Sequence, residues 1–271
     1  MAIDEVALSD GDLVTVMINR LSKGNKGKLA AVINGTKIGN ITSVLSTLPS
    51  GVRNRVKEIT MDMAGNMASA MADQFPEASQ VVDRFHVVRM VQDALQHLRI
   101  IHRWEAIDEE NKAIEKGRKH NQPYSTPVFH NGDTRKQLLA RSRGLLYKLP
   151  SAWSHSQSQR AEILFENYPD LKRAYNHTVK FRKLYDVRDK TEIKMAFMDW
   201  ILEGHQCLSK EFNSTIRTIM INLDRILAFF NNRSTNGPAE SFNAQLKNLR
   251  FFQRGVNDKT MFLFRLEKLY A

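Results

Sequence analysis

Two aspartates stand inside runs of apolar residues that have the composition of β-strands. Asp4 follows Ile3 in MAIDEVAL, and Asp62 stands near the end of VKEITMDM. A carboxylate in an apolar strand is costly to desolvate unless a partner or a metal ion compensates its charge. Taken singly, each aspartate is more often an acid that ends a strand or caps a turn. The pair is more specific, because hard divalent cations prefer oxygen ligands of this kind.

A third acid, Glu240, follows a clear break in the chain. The segment 231–238 (NNRSTNGP) ends in Gly-Pro, and proline suits the first turn of a helix. We therefore predict a helix over 239–249, from which Glu240 could supply a third carboxylate. Residue spacings of three and four divide this helix into a buried face of Phe242, Leu246 and Leu249 and a second face of Glu240, Asn243 and Lys247.

The first third of the chain predicts an α/β fold. We expect strands over 1–8, 13–18, 29–33, 56–63 and 80–85, and helices over 38–48 and up to about residue 74. The first three strands are closely linked and suit an antiparallel meander. The last two are linked through helices and suit parallel additions to the same sheet. The first and fourth strands would then be central neighbours, with Asp4 and Asp62 side by side.

Helical spacing replaces strand patterns from His86 onward. Apolar residues mark one helical face over 88–101, a helix over 195–202 that stops near Gly204, and a continuous helical period over 208–230. Residues 108–135 are polar, contain two prolines, and are predicted to be a loop or a weakly ordered link.

Several short motifs together resemble one protein family. They are Ile3-Asp4-Glu5, Met61-Asp62-Met63, Asp83-Arg84-Phe85-His86, the run 232–236 (NRSTN) leading to 239–243 (AESFN), and the tail 251–270. In their order and spacing the chain resembles the RNase H-like transposases of bacterial insertion sequences, in particular the ISL-three group, which is related to the Mutator and hAT transposases. The resemblance covers nearly the whole chain.

The resemblance implies a catalytic site and a fold. Asp4, Asp62 and Glu240 would be the DDE triad that holds two Mg²⁺ or Mn²⁺ ions, and Asp83 and His86 would match a D-x-x-H signature with the histidine near the scissile phosphate. A helix-capping or core role stays open for His86, and a structural role for Asp83. The implied fold is α/β: an RNase H-like mixed five-stranded sheet with flanking helices, formed by 1–90 and 231–271 and interrupted by an all-helical insertion over 91–230.

The charge of the chain favours a nucleic-acid partner. The formal net charge is +11, of which residues 99–190 carry +8. We expect double-stranded DNA, both transposon ends and target, as the partner, although each cation taken alone is more often part of a solvated face. The candidate DNA-binding residues are Arg135, Lys136, Arg141, Arg143, Arg182, Lys183, Arg233 and Lys247.

Composition also limits the location and the accessory modules. The single cysteine, Cys207, excludes a disulfide framework and is expected to be a buried apolar side chain. No run is long enough for a membrane span, so we expect a cytoplasmic protein. The resemblance implies a bacterial protein that is associated with the nucleoid, and a homo-oligomer is a further expectation. Members of the family usually begin with a zinc-binding segment and a helix-turn-helix region. Only Met1 and Ala2 precede the first strand, so a truncated member, a split partner or a catalytic core is expected.

These observations lead to one functional prediction and two alternatives. We predict the catalytic core of a DDE transposase, which cleaves and joins DNA strands by two-metal-ion chemistry. The first alternative is a DNA-binding or regulatory remnant without useful catalysis. The second is an RNase H-like nuclease or resolvase, which would hydrolyse strands without joining them.

Overall fold

The structure, a computed structural model, describes residues 1–8, 13–22, 24, 26–207, 210–252 and 258–271. The side chain of Cys207 and residue Leu208 lie outside the described residues. The chain forms two compact units. The first contains residues 1–87 and 222–271, and the second contains residues 88–221.

The first unit is built on a mixed five-stranded sheet. Its strands are β1 (Ala2–Ala7), β2 (Leu13–Ile18), β3 (Leu29–Asn34), β4 (Glu58–Met61) and β5 (Ser79–Val82). Their order is β3-β2-β1-β4-β5; β1, β2 and β3 are antiparallel, and β4 and β5 run parallel to β1. The predicted mixed sheet is confirmed, and so is the prediction that the first and fourth strands are central neighbours.

Helices make up most of the rest of the chain. In chain order they are α1 (Ile38–Leu45), α2 (Ser50–Arg53), α3 (Gly65–Gln74), α4 (Arg84–Lys119), α5 (Arg135–Arg141), α6 (Arg143–Leu146), α7 (His155–Asn167), α8 (Pro169–Leu184), α9 (Lys190–Cys207), α10 (Lys210–Ile221), α11 (Leu223–Leu227), α12 (Phe229–Asn232), α13 (Gly237–Phe252) and α14 (Lys259–Tyr270). None of the described helices is long and apolar enough to cross a membrane.

The two faces of the sheet pack against different helices. Alternate side chains of a strand point to opposite faces. Ile3 and Met61 belong to a buried cluster with residues of α1 and α3. Ala2 and Val6 belong to a second cluster, which contains Phe242 of α13 and residues of α14. Asp4 therefore lies on the face that α13 covers.

The fifth strand ends before the D-x-x-H segment. We expected a strand over 80–85, but β5 ends at Val82 and α4 begins at Arg84. Asp83 stands at the junction, where aspartate is a favoured residue before a helix. The backbone N–H of Val87 donates to the Asp83 carbonyl at 3.4 Å. Phe85 and His86 therefore lie in the first turn of α4, and the prediction that this segment is extended is wrong.

The polar stretch that we predicted to be a loop is largely helix. α4 continues through 108–119, and the polar residues without helix begin only at residue 120. Glutamate and lysine are good helix formers, and lysines in the last turn suit the negative end of the helix dipole. Ion pairs Lys136–Glu110 (2.6 Å) and Arg135–Glu109 also tie this part of α4 to α5. Polarity alone was therefore a poor guide to a loop here.

Gly204 does not stop its helix. α9 continues to Cys207, although the sequence indicated an end near Gly204. A Cβ atom at Gly204 would lie 2.5 Å from Ile216 Cδ1 and 2.8 Å from His177 Nε2. The glycine therefore allows α8 and α10 to approach α9 closely, which is a packing role and not that of a helix breaker.

The helical period predicted over 208–230 is divided among α10, α11 and α12. The breaks fall at Asn222 and Ala228. Leu223, Ile226 and Phe230 nevertheless remain buried. α11 packs on β5 and so belongs to the first unit.

Candidate active site

Three aspartates form a row across the parallel strands of the first unit. Ala2 is opposite Thr60 in the pairing of β1 with β4, and Met61 is opposite Val82 in the pairing of β4 with β5. Continued by one or two residues, the same register aligns Asp4, Asp62 and Asp83. Neighbouring strands lie about 4.8 Å apart, and residues in register on parallel strands share a face. The row therefore points to the side that α13 covers.

Asp4 is half-buried and held at both carboxylate oxygens. Asn243 Nδ2 of α13 donates to Asp4 Oδ2 at 2.9 Å, and the backbone N–H of Glu5 donates to Oδ1 at 2.9 Å. Burial is the main cause that raises the pKa of Asp4, and the negative charges of Asp62 and Glu240 raise it further, while the Glu5 N–H and the charge of His86 lower it. The other three side chains predicted to be catalytic therefore all act electrostatically on Asp4.

Asp62 directly follows β4 and also organises the next turn. Its Oδ1 accepts the backbone N–H of Ala64 at 2.8 Å, just before α3 begins at Gly65. This contact is the turn-capping role that a single aspartate at a strand end often has. It occupies one oxygen only, so the second oxygen of the partly buried carboxylate is left for another partner.

Glu240 is placed by the segment that precedes it. Asn236, which is fully buried, donates from Nδ2 to the Ile3 carbonyl (3.3 Å) and accepts at Oδ1 from the Thr60 hydroxyl (3.2 Å). Its backbone N–H donates to Asp83 Oδ1 at 3.2 Å. Its carbonyl accepts the N–H of Glu240 at 3.0 Å. One asparagine thus fixes the start of α13, and with it Glu240, to β1, β4 and the end of β5.

Asp83, His86 and Glu240 form a group that could hold a metal ion. One ligand atom of each lies within 4.8 Å of the others. Asp83 is buried, His86 is half-buried and Glu240 is exposed. Two carboxylates and an imidazole are suitable ligands for a divalent cation such as Mn²⁺. Of the Asp4, Asp62 and Glu240 set predicted from sequence, the two aspartates share the row, and the charges of Asp62 and Glu240 both act on Asp4.

The His86 ring lies beside the Asp83 carboxylate. Its Nδ1 lies 3.3 Å from Asp83 Oδ2 but has no partner in hydrogen-bond geometry. The Asp83 carboxylate is the main cause that raises the pKa of His86, and the charges of Asp62 and Asp4 add to it, against the effect of burial. Asn243 Oδ1 is buried and has no hydrogen-bond partner among the described residues. This acceptor fits a site that is completed by a ligand, whereas His86 Nδ1 already faces the Asp83 carboxylate.

Sequence reasoning missed the two asparagines of this site. Asn236 was part of a break, and Asn243 was placed on the face opposite the buried stripe, although it is only 7% exposed. The spacing of Asn243 three residues after Glu240 was the available signal, because residues at that spacing share a helix face. Their roles depend on partners more than 150 residues away, and spacing within one helix does not contain that information.

The predicted DNA-binding cations have different surroundings. Within the second unit, Arg135 pairs with Glu109 and bonds to Tyr168 Oη (2.7 Å), Lys136 pairs with Glu110, and Arg141 pairs with the buried Asp133. Arg182 donates to the Tyr147 carbonyl (3.1 Å). Lys183, Arg143, Arg233 and Lys247 are exposed, and Arg233 adopts a left-handed backbone conformation with φ 51°.

The chain was compared with known proteins. Residues 1–266 match the model of the ISL3 (ISL-three) family of DDE transposases, described as "Transposase". Two curated relatives, from the CDC 1551/Oshkosh and the ATCC 25618/H37Rv strains of Mycobacterium tuberculosis, are each named "Transposase for insertion sequence element IS1557". Each is 25% identical over 195 residues, which are 71% of this chain and 43% of the relative. No solved structure matches.

The mixed sheet, the row of acids and the match over nearly the whole chain define the class of the protein. The chain belongs to the ISL3 family of DDE transposases. The family implies the use of divalent metal and the binding of DNA, and the acidic groups of the first unit are consistent with the former. The chain spans less than half the length of the curated relatives that it matches.

Proposed function

We propose that this chain carries the centre that cleaves and joins DNA strands, with Asp4, Asp62 and Glu240 as the ligands of divalent metal ions. The observation that carries the proposal is the meeting of the aspartate row with α13. Divalent ions, when bound there, supply the Lewis acidity that activates an attacking oxygen and stabilises a leaving one. The expected RNase H-like division of the chain, with an all-helical insertion over 91–230, belongs to the same proposal.

The roles of the protein's own groups follow from their contacts. Asn243 orients the Asp4 carboxylate, the Ala64 N–H orients that of Asp62, and Asn236 positions the helix that bears Glu240. The Asp83 carboxylate favours the charged form of His86, which would present a positive group to a phosphodiester. Asp83 is therefore proposed as a positioning residue, and His86 in its charged form is not a metal ligand.

The test is the substitution Glu240→Gln. It keeps the size of the side chain and one carbonyl oxygen but removes the charge. We expect Mn²⁺-dependent nicking of a supercoiled plasmid to fall by orders of magnitude. Added Mn²⁺ should also raise the melting temperature of the variant less than that of the natural chain, because a ligand stabilises the state that binds it. The matched control is Glu267→Gln, an exposed glutamate of α14.

The outcomes separate the functional alternatives. If Glu240 interacts only with the helix dipole, its charge stabilises the folded state by about 0.3–1 kcal/mol. Full nicking with a slightly lowered melting point would then remove Glu240 from the site. A natural chain that binds DNA but never nicks it with Mn²⁺ would favour a remnant without catalysis. Hydrolysed products without joined strands would favour a nuclease.

A further inference from the structure

A groove in the second unit is lined by arginines. It lies between one face of α4 and the α5–α6 junction and has a volume of about 730 Å³. Spacings of three and four residues place its α4 residues on one side of that helix. The charged and aromatic residues of its lining are Asp93, His97, Arg99, Arg103, Trp104 and Arg143.

Arg99 makes hydrogen bonds to both sides of the groove. It is 5% exposed, and its guanidinium donates to Gln96 Oε1 (2.7 Å) and to the Leu139 carbonyl (2.9 Å). Gln96 in turn donates to the Arg143 carbonyl at 3.2 Å. Within the described residues no carboxylate lies in ion-pair distance of Arg99. A buried charge without a counterion is costly, so the site favours an anion from outside.

Two further guanidinium groups add positive charge to the groove. Arg103 and Arg143 line opposite sides of the groove, both are exposed, and neither has a carboxylate partner among the residues that the structure describes. Burial lowers the pKa of Arg99, and the positive charges of Arg103 and Arg143 lower it further. The acid of the lining, Asp93, is paired with Arg89 at 3.7 Å. The positive charge of the groove is therefore not compensated within it.

This pattern differs from that of the neighbouring cations on α5. Arg135, Lys136 and Arg141 each contact a carboxylate. Binding a phosphate there would compete with an existing ion pair, whereas Arg103 and Arg143 have no such pair to break within the part of the chain that the structure describes. The volume of the groove lies in the range of cavities for larger ligands and exceeds what one inorganic phosphate needs.

We propose that this groove binds backbone phosphates of DNA, with Arg103 and Arg143 as the phosphate contacts and Arg99 as the buried charge behind them. The inference rests on the proposed function, since it assigns a binding surface to the DNA on which that centre would act. Because guanidinium groups contact phosphates and no base-reading geometry is involved, the contribution of the groove is independent of sequence.

The test uses Arg103→Ala, Arg143→Ala and the double variant. The matched control is Arg118→Ala, because Arg118 is also exposed on α4, about 22 Å further along the helix. Binding of two fluorescent duplexes of unrelated sequence is measured by anisotropy in EDTA, so that metal chemistry plays no part. We expect each groove variant to lose about tenfold in affinity at 0.1 M salt, with a salt slope lower by about 1. Arg118→Ala should change neither.

Trp104 provides a local readout. It is 62% exposed in the groove, whereas Trp200 is buried and Trp153 is partly buried outside the groove. DNA should protect the tryptophan emission of the natural chain from acrylamide, and Trp104→Phe should remove that protection. If inorganic phosphate at matched ionic strength protects Trp104 and DNA does not, the groove is a small-anion site and the proposal is wrong.

Failure of this inference is distinguishable from failure of the proposed function. If Arg103→Ala and Arg143→Ala bind DNA as the natural chain does, or if Arg118→Ala loses as much as they do, the groove is not a phosphate site. The proposed centre stands in that case as long as nicking still depends on Glu240. If the folded natural chain binds no DNA at all, both proposals are lost.

Discussion

At the scale of single residues, the aspartate row concentrates negative charge where the protein alone cannot neutralise it. Asp4 is the clearest case, because its pKa is raised by burial and by two neighbouring carboxylates. A raised pKa means that the folded state binds this proton more readily than the unfolded state does. The contribution to stability is present at low pH and is lost as pH rises through the pKa of the folded state.

We therefore predict that Asp4→Asn melts at a higher temperature than the natural chain at pH 7 in EDTA. The gain should shrink as pH falls through the raised pKa of Asp4, because the carboxyl of the natural chain then takes up its proton. The amide keeps an oxygen for the Asn243 bond and loses the bond from the Glu5 N–H, a cost that removal of the charge should exceed. Thermal melts across this pH range, with Asp258→Asn at the cap of α14 as control, check the result. A lower melting point for Asp4→Asn at pH 7 would show that its charge is already compensated.

His177 provides a prediction from the second unit. It is buried, its ring stacks on Trp200 at 4.3 Å, and burial lowers its pKa to about 4. The unfolded chain takes up this proton at pH 6.5 and the folded chain only near pH 4, so stability is present above pH 6.5 and falls between those values. The loss is on the order of 3 kcal/mol at the lower end. Urea denaturation of His177→Gln should lack this part of the pH dependence; an unchanged slope would assign it to other groups.

At the scale of elements, two buried amides hold α13, the helix that bears Glu240, against the sheet. Asn236 lies just before the helix and Asn243 lies within it. We predict that Asn243→Asp lowers the melting temperature in EDTA, because a second carboxylate would replace the donor to Asp4. The exchanged pair, Asp4→Asn with Asn243→Asp, should recover much of the loss, since it restores an amide beside a carboxylate. A double-mutant cycle measures this coupling, and additive effects would mean that the two side chains do not interact.

Two helical glycines, Gly204 in α9 and Gly144 in α6, differ in how much space surrounds them. Alanine is about 1 kcal/mol better than glycine inside a helix. We predict that Gly204→Ala nevertheless destabilises the chain by about 1–3 kcal/mol, because its Cβ would meet Ile216 and His177. Gly144→Ala in α6 is the control, since a Cβ there has no atom within 4 Å and should be neutral or stabilising. Chemical denaturation of the two variants should move in opposite directions.

The sequence was informative where a structure depends on neighbouring residues. The strands were predicted because short apolar runs end in turns, and Asp62 was predicted because it follows such a run. The extension of α4 over 108–119 was missed, since ion pairs to α5 replace the apolar stripe that marks most helices. Gly204 was misinterpreted because its role lies in contacts with other helices. The partner of Asp4 on α13 and that of Asp83 just before α13 were not predictable from spacing for the same reason.

At the scale of the whole molecule, charge is distributed unevenly between the two units. Residues 88–221 hold 23 lysines and arginines against 16 acids, a net of +7, while the acids of the candidate site belong to the first unit. In the proposed function, the helical unit supplies most of the attraction to DNA and the sheet unit supplies the chemistry.

From this distribution we predict DNA binding that depends steeply on salt and little on sequence. Affinity for unrelated duplexes should be similar and should fall by orders of magnitude between about 50 and about 200 mM salt, because each phosphate contact releases counterions. Filter binding over a salt series measures the slope. A strong preference for one duplex at physiological salt would show that this chain reads bases as well.

The hydrogen bonds of Asn236 also determine when the candidate site can form during synthesis of the chain. Its partners Ile3, Thr60 and Asp83 precede it by 233, 176 and 153 residues. At translation rates of about 5–20 residues per second, a ribosome that has passed Asp83 needs roughly 8–30 s to reach Asn236. During that interval the nascent chain carries its aspartates without the helix that would complete the group. In the proposed function, the cleavage centre stays incomplete until the ribosome has passed Asn236 and Glu240, and a chain that stops before Asn236 lacks that centre.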